Sequence, residues 1–144
     1  MDSTAMGLKR RKVLFVCIGN SCRSQMAEAI ARHCAADLME VESAGTSPLG
    51  FVARETLAIL QENGIRAEGH YSKGIDDVKT FFSPEIVVNM SGRRLDGMFA
   101  GASVVEWKIK DPYGDDAATY QVVYAEIGKK VKMLVEELRI EEKP

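Results

Sequence analysis

Cysteine is scarce in this chain. The three that occur, at positions 17, 22 and 34, suit a reducing cytosol better than a disulfide scaffold. Cys17 and Cys22 have no second close Cys or His pair, so no metal site is expected. A surplus of positive charge is missing too: 19 basic against 21 acidic side chains leave a net charge of −2, without the basic excess that nucleic-acid binding needs. No apolar run approaches the length of a bilayer span, and the polar start of the chain has none of the hydrophobic stretch of a secretory leader. Repeats, low-complexity stretches and linkers are also absent. The expectation is a cytoplasmic monomer that acts without a cofactor and binds neither nucleic acid nor membrane. What is present is 144 residues with 46% hydrophobic content, enough for one substantial core. Residues 1–11, ending in the basic run Lys9-Arg10-Arg11, read as a flexible polar lead-in to a single domain over 12–144.

The chemistry concentrates in one stretch. Val13-Leu14-Phe15-Val16 is a buried strand, Cys17 to Arg23 a tight loop, and Ser24 onward a helix. Five residues between Cys17 and Arg23 let the backbone curl until its N–H groups converge, and such a nest at a helix N-terminus takes a tetrahedral oxyanion. Ile18, Gly19, Asn20, Ser21, Cys22, Arg23 and Ser24 therefore form the candidate phosphate-binding loop. Arg23 adds a planar fork for two oxygens. The same positive field favours the thiolate form of Cys17, a nucleophile at the centre of the ring. Gly19 allows a turn that a Cβ would obstruct, Asn20 tolerates a left-handed backbone, and the Ser24 hydroxyl can stabilise the sulfur anion.

Elsewhere strands alternate with helices. Strands are expected over Lys12–Ile18, Met39–Ala44, Ile86–Met90 and Ser103–Lys108. Helices are expected over Ser24–Ala35, with Ala27, Ile30, Ala31 and Cys34 inward, and over Val52–Asn63, with Ala53, Leu57 and Leu60 inward and Gly64 as the stop. A last helix from about Asp116 carries the stripe Tyr120, Val123, Ile127, Val131, Leu134 and Leu138, with Asp115 or Asp116 as its cap. This alternation implies an α/β fold with a parallel sheet, helices on both faces and a ligand beyond the carboxyl ends of the strands, where Cys17 falls.

The loop, with its Gly19-Asn20 and Cys22-Arg23-Ser24 segments after an apolar strand, resembles the active-site loop of the low-molecular-weight protein tyrosine phosphatases and of their relatives, the thioredoxin-coupled arsenate reductases. The resemblance covers nearly the whole chain from about Lys12 and implies a four-stranded parallel sheet in the order 2-1-3-4. It also implies a general acid in an Asp-Pro-Tyr turn, here Asp111-Pro112-Tyr113. Departure of an alkoxide or phenoxide needs a proton, which Asp111 would supply. Tyr113 would wall the substrate cleft, with Tyr71 or Phe51 as a second wall. Asn20, Ser24, Ser43 and His70 match the polar network behind the loop in these phosphatases, while His33 fits no pattern and should be exposed.

Two functions follow from the resemblance. One is a cysteine-dependent phosphatase acting on a phosphorylated protein (phosphotyrosine or phosphoarginine) or a small phosphoester. The other is an arsenate reductase. Gln25, where the phosphatases usually have proline, leans towards the reductases, and small polar Ser21 weakens the case for strict phosphotyrosine specificity. The reductases' further cysteines after the third strand correspond here to Ser91 and Met98, which cannot relay a disulfide. A reductase would then pair Cys17 with Cys22 or Cys34, or draw on an external thiol such as thioredoxin or glutaredoxin.

Overall fold

The computed structural model describes residues 9–142, so the start of the expected lead-in lies outside the described residues. Eight elements follow one another: β1 (Arg11–Cys17), α1 (Arg23–Ala35), β2 (Met39–Gly45), α2 (Arg54–Glu62), α3 (Ile75–Lys79), β3 (Ile86–Asn89), β4 (Ser103–Glu106) and α4 (Ala117–Glu142). The strands form one sheet in the order β2-β1-β3-β4, and every pairing is parallel. This is the architecture that the alternating pattern and the family resemblance imply.

Strand alternation decides which way each side chain of β1 faces. Val13, Phe15 and Cys17 turn to the larger core, beneath α1, α2 and α4, whereas Leu14 and Val16 turn to the smaller one with Ile75, Val78 and Phe82. The six apolar residues of the α4 stripe are all buried against the larger core. Its first turn is capped by Asp116, whose Oδ1 accepts from the N–H of Thr119 at 3.0 Å.

Several local expectations are corrected. Cys34 is exposed, because the buried stripe of α1 steps from Ala31 to Ala35 rather than to Cys34. Leu57 is exposed as well; Thr56 takes the inward position, where its hydroxyl donates to the Ser21 carbonyl. Ile18 has left the strand, its carbonyl accepting from the Ser47 N–H. β4 ends at Glu106, two residues short of the expected Lys108. The five-residue α3 has no counterpart in the sequence reading, being too short to show a period.

Candidate active site

β1 ends in the core at Cys17, and the chain re-enters regular structure at Arg23, so the loop between them is anchored at both ends. Its carbonyls are claimed from outside the ring. Cys17, Ile18 and Gly19 accept from the N–H groups of Thr46, Ser47 and Leu49, Ser21 accepts from Ala53, and Cys22 from Met26. Ser72 Oγ adds a bond to Gly19 O, and Gln25 Nε2 one to Asn20 O. With the carbonyls turned out, the amides from Gly19 to Cys22 have no acceptor among the described residues. That is the polarity an oxyanion nest requires.

Two residues let the ring close. Asn20 has φ 48°, the one non-glycine residue with positive φ among those described. Gly45, at the end of β2, lies so close beneath that a Cβ there would stand 2.6 Å from Ile18 O and 3.0 Å from Asn20 N. Gly19 has a different reason from the expected turn: its φ is ordinary, and a Cβ would meet the Leu49 side chain at 2.9 Å.

Cys17 Sγ lies 2.9 Å from Ser24 Oγ. Arg23 is buried and held from behind, with Nη1 donating to the carbonyls of Met90 and Ile109. Its Nε has no partner among the described residues, and neither has the buried Ser21 hydroxyl. A buried donor left unpaired costs about 1–3 kcal/mol, so an oxyanion in the ring would satisfy what the protein does not. Ser21 is buried in the ring. Asp111 leans over the rim, Oδ2 standing 3.6 Å from Arg23 Nη2 while Oδ1 accepts from the N–H of Tyr113. Phe51 faces Tyr113 with ring centroids 6.3 Å apart, so the aromatic partner is Phe51. Tyr71 instead lies under the ammonium of Lys73.

Behind the ring, Asn20 Nδ2 donates to Ser24 Oγ at 2.7 Å and to Ser43 Oγ at 3.0 Å. The expected group is thus assembled, but His70 joins it through Gln25: His70 Nδ1 is 3.0 Å from Gln25 Oε1. A carbonyl oxygen only accepts, so Nδ1 carries the proton. Burial pushes the His70 pKa down, which keeps the ring neutral at pH 7. Its side chain is 4% exposed, and His33 is exposed as expected. Gln25, Glu28 and Lys73 belong to the network too, although the sequence raised no expectation of them there. Their signal was polarity at buried positions: Gln25 and Glu28 sit on the inward face of an alanine-rich helix, and Lys73 is buried in a loop.

Of the other cysteines, Cys22 points at α4, its Sγ 3.3 Å from Tyr120 Oη. Burial raises its pKa, so it stays a thiol near neutrality. Cys34 lies far along α1, about 16 Å from Arg23 at the helical rise of 1.5 Å per residue. A disulfide needs Cα atoms within about 7 Å. Cys34 is therefore no partner for Cys17.

A thiol set in a strand–loop–helix ring whose amides face inward, with a buried arginine beside it, defines a class of α/β protein able to present sulfur to a tetrahedral oxyanion. The chain belongs to the low molecular weight phosphotyrosine protein phosphatase family, whose sequence profile matches residues 12–143. It is 31% identical over 130 residues to the glutaredoxin arsenate reductase of Synechocystis sp., covering 87% of this chain and 96% of that one. Among solved structures, an arsenate reductase in the phosphate binding state aligns with a TM-score of 0.81 at 28% identity, covering 89% of this chain and 98% of that one. A low molecular weight protein tyrosine phosphatase from T. tengcongensis aligns with a TM-score of 0.74 at 27% identity, covering 88% and 99%. Both kinds of relative match along nearly the whole chain. Among the described residues no helix is long and apolar enough to cross a membrane.

Proposed function

We propose that this protein is a cysteine-dependent phosphatase that hydrolyses phosphomonoesters through a cysteinyl-phosphate intermediate. Cys17 attacks phosphorus in line with the leaving oxygen, forming the S–P bond as the P–O bond breaks. The loop amides and Arg23 hold the three equatorial oxygens. Asp111 gives its proton to the departing alkoxide or phenoxide, then takes one from the water that attacks the cysteinyl phosphate. Phosphate leaves and the thiolate is restored. Phe51 and Tyr113 form an aromatic rim that suits an aryl or protein phosphoester, and the free thiol suits a reducing compartment.

One observation carries this reading above the others: the Asp111 carboxylate sits on the rim, 3.6 Å from the arginine that would hold the phosphoryl oxygens. Arsenate also loses an oxygen, as water, when sulfur bonds to arsenic, but As–O bonds exchange far more readily than P–O bonds, so its reduction depends less on a placed acid. Even so, relatives that bear the name arsenate reductase favour a second reading, in which Cys17 bonds to arsenic at the same loop as one As–O bond breaks and the oxygen leaves as water. Two thiols would then be oxidised to one disulfide as As(V) becomes As(III). With Cys34 remote and the Cys22 thiol turned to Tyr120, the second thiol would come from thioredoxin or glutaredoxin.

The two readings separate on aryl phosphates. Asp111→Asn should slow phenyl phosphate hydrolysis by about 10²–10⁴-fold. The loss should be smaller for p-nitrophenyl phosphate, whose phenoxide leaves without a proton. Cys17→Ser should abolish both activities. Equal, feeble turnover by wild type and Asp111→Asn, beside arsenate reduction driven by thioredoxin or glutaredoxin, would transfer the assignment to the reductase.

A further inference from the structure

The hydrogen bonds behind the ring have a direction, and it starts from a buried ion pair that the mechanism above does not use. Glu28 is 3% exposed at its side chain, and its Oε1 accepts from the Ser43 hydroxyl. Having given its proton to Glu28, Ser43 offers Asn20 Nδ2 only lone pairs. The Asn20 amide cannot flip, because its Oδ1 accepts from Gln25 Nε2 at 3.0 Å and from the N–H of Lys73 at 2.9 Å. The second hydrogen on Asn20 Nδ2 goes to Ser24 Oγ. Ser24 therefore accepts from Asn20, and among the described residues the one acceptor for its own proton is the Cys17 sulfur.

As a carboxylate Glu28 only accepts and has no proton to return to Ser43, and a buried carboxylate needs compensating charge. The groups facing it come from three directions. Arg32, one turn on along α1, lies 2.8 Å away with its side chain 44% exposed. Glu42 of β2 is held by both Arg32 and Lys73. From the segment before α3 come His70 Nε2 at 3.8 Å and Lys73 Nζ at 3.9 Å, with Glu68 near the histidine. His70, protonated on Nδ1, turns a lone pair towards Glu28 and supplies no charge. Lys73 is a cation at 4% exposure, enclosed by Glu28, Glu42 and the Tyr71 ring at 4.7 Å.

The geometry points to Glu28 and Lys73 as positioning residues: the buried Lys73–Glu28 pair orients the Ser43–Asn20–Ser24 chain so that Ser24 donates to, and stabilises, the Cys17 thiolate. The inference rests on the proposed role of Cys17 as a thiolate, whether phosphate or arsenate is the substrate. Neither residue touches substrate.

The test reads the thiol without any substrate. Iodoacetamide alkylation of Cys17, located by peptide mass spectrometry, is followed against pH for wild type, Glu28→Gln, Lys73→Met, Lys73→Arg and Ser43→Ala, with thermal unfolding of each. Glu28→Gln, Lys73→Met and Ser43→Ala should move the profile to higher pH, with alkylation about tenfold slower on the acid side, where one unit is a factor of ten in thiolate. Lys73→Arg should recover most of the rate. If Lys73→Met does not fold, Ser43→Ala and Glu28→Gln decide the matter, since both leave the lysine in place. Profiles that coincide with wild type in the folded variants overturn the relay. A shifted profile in a protein that hydrolyses no phosphoester would leave the relay standing and reject only the phosphatase.

Discussion

Replacing Asn20 by alanine should be among the most damaging single changes outside the large apolar core, and its cost can be assembled from the structure. Alanine at φ 48° pays for a left-handed backbone that asparagine tolerates, about 1 kcal/mol. Of the four bonds made by the Asn20 side chain, three leave partners with other contacts: Ser24 keeps Cys17, Ser43 keeps Glu28, and Gln25 keeps the carbonyls of Asn20 and Tyr71. The Lys73 N–H loses the one acceptor it has among the described residues and remains buried, for about 1–3 kcal/mol. Weakening of the other three brings the total to about 3–5 kcal/mol. A chain of this size loses about 2–4 °C per kcal/mol, so the melting temperature should fall by about 6–20 °C. Scanning calorimetry or circular dichroism measures this, and Asn20→Gly separates the terms, because glycine removes only the backbone cost. Loss of less than about 1 kcal/mol in Asn20→Ala, or full recovery in Asn20→Gly, would refute the reasoning that the side-chain bonds hold the ring.

Gly45→Ala should destabilise the fold by about 1–3 kcal/mol and weaken inhibition by inorganic phosphate, because the new methyl collides with the main chain at Ile18 and Asn20. Gly19→Ala, whose nearest neighbour is the movable Leu49 side chain, should do less, and denaturant unfolding of the pair checks the order. His70 has a folded pKa below its ordinary 6.5, so the unfolded chain takes up the proton first and stability falls as pH drops below that value. His70→Gln should flatten the melting temperature in that window while leaving the steeper loss at lower pH. Asp37, lowered by its bond from Arg139, and Glu85, lowered first by the Lys12 N–H and then by Arg11, contribute to that later loss.

The parts of this molecule legible in the sequence are those in which one short segment carries its whole meaning. β1, the loop and the start of α1 are contiguous, so the spacing from Cys17 to Arg23 already implied a ring of inward amides. Asp111, though distant in sequence, was singled out by its Asp-Pro-Tyr turn through the family resemblance, and the fold brings it to 3.6 Å from Arg23. Periodicity did less well where two helical positions compete. Cys34 and Ala35 lie about 100° apart on α1, and only packing against neighbouring elements shows that the alanine is inside. The same ambiguity placed Leu57 inward, whereas Thr56 takes that side because a loop carbonyl is there to meet its hydroxyl. Lys73 was invisible for a different reason. A buried lysine is intelligible only beside its counter-charges, and Glu28 and Glu42 come from other elements.

The account turns on what becomes bonded to Cys17. Rapid acid quench of the enzyme during phenyl phosphate turnover, followed by peptide mass spectrometry, reads that bond directly. Phosphate on the Cys17 peptide, absent in Cys17→Ser, is the predicted result. An unmodified Cys17 during steady hydrolysis, or phosphate on another residue, would contradict the mechanism.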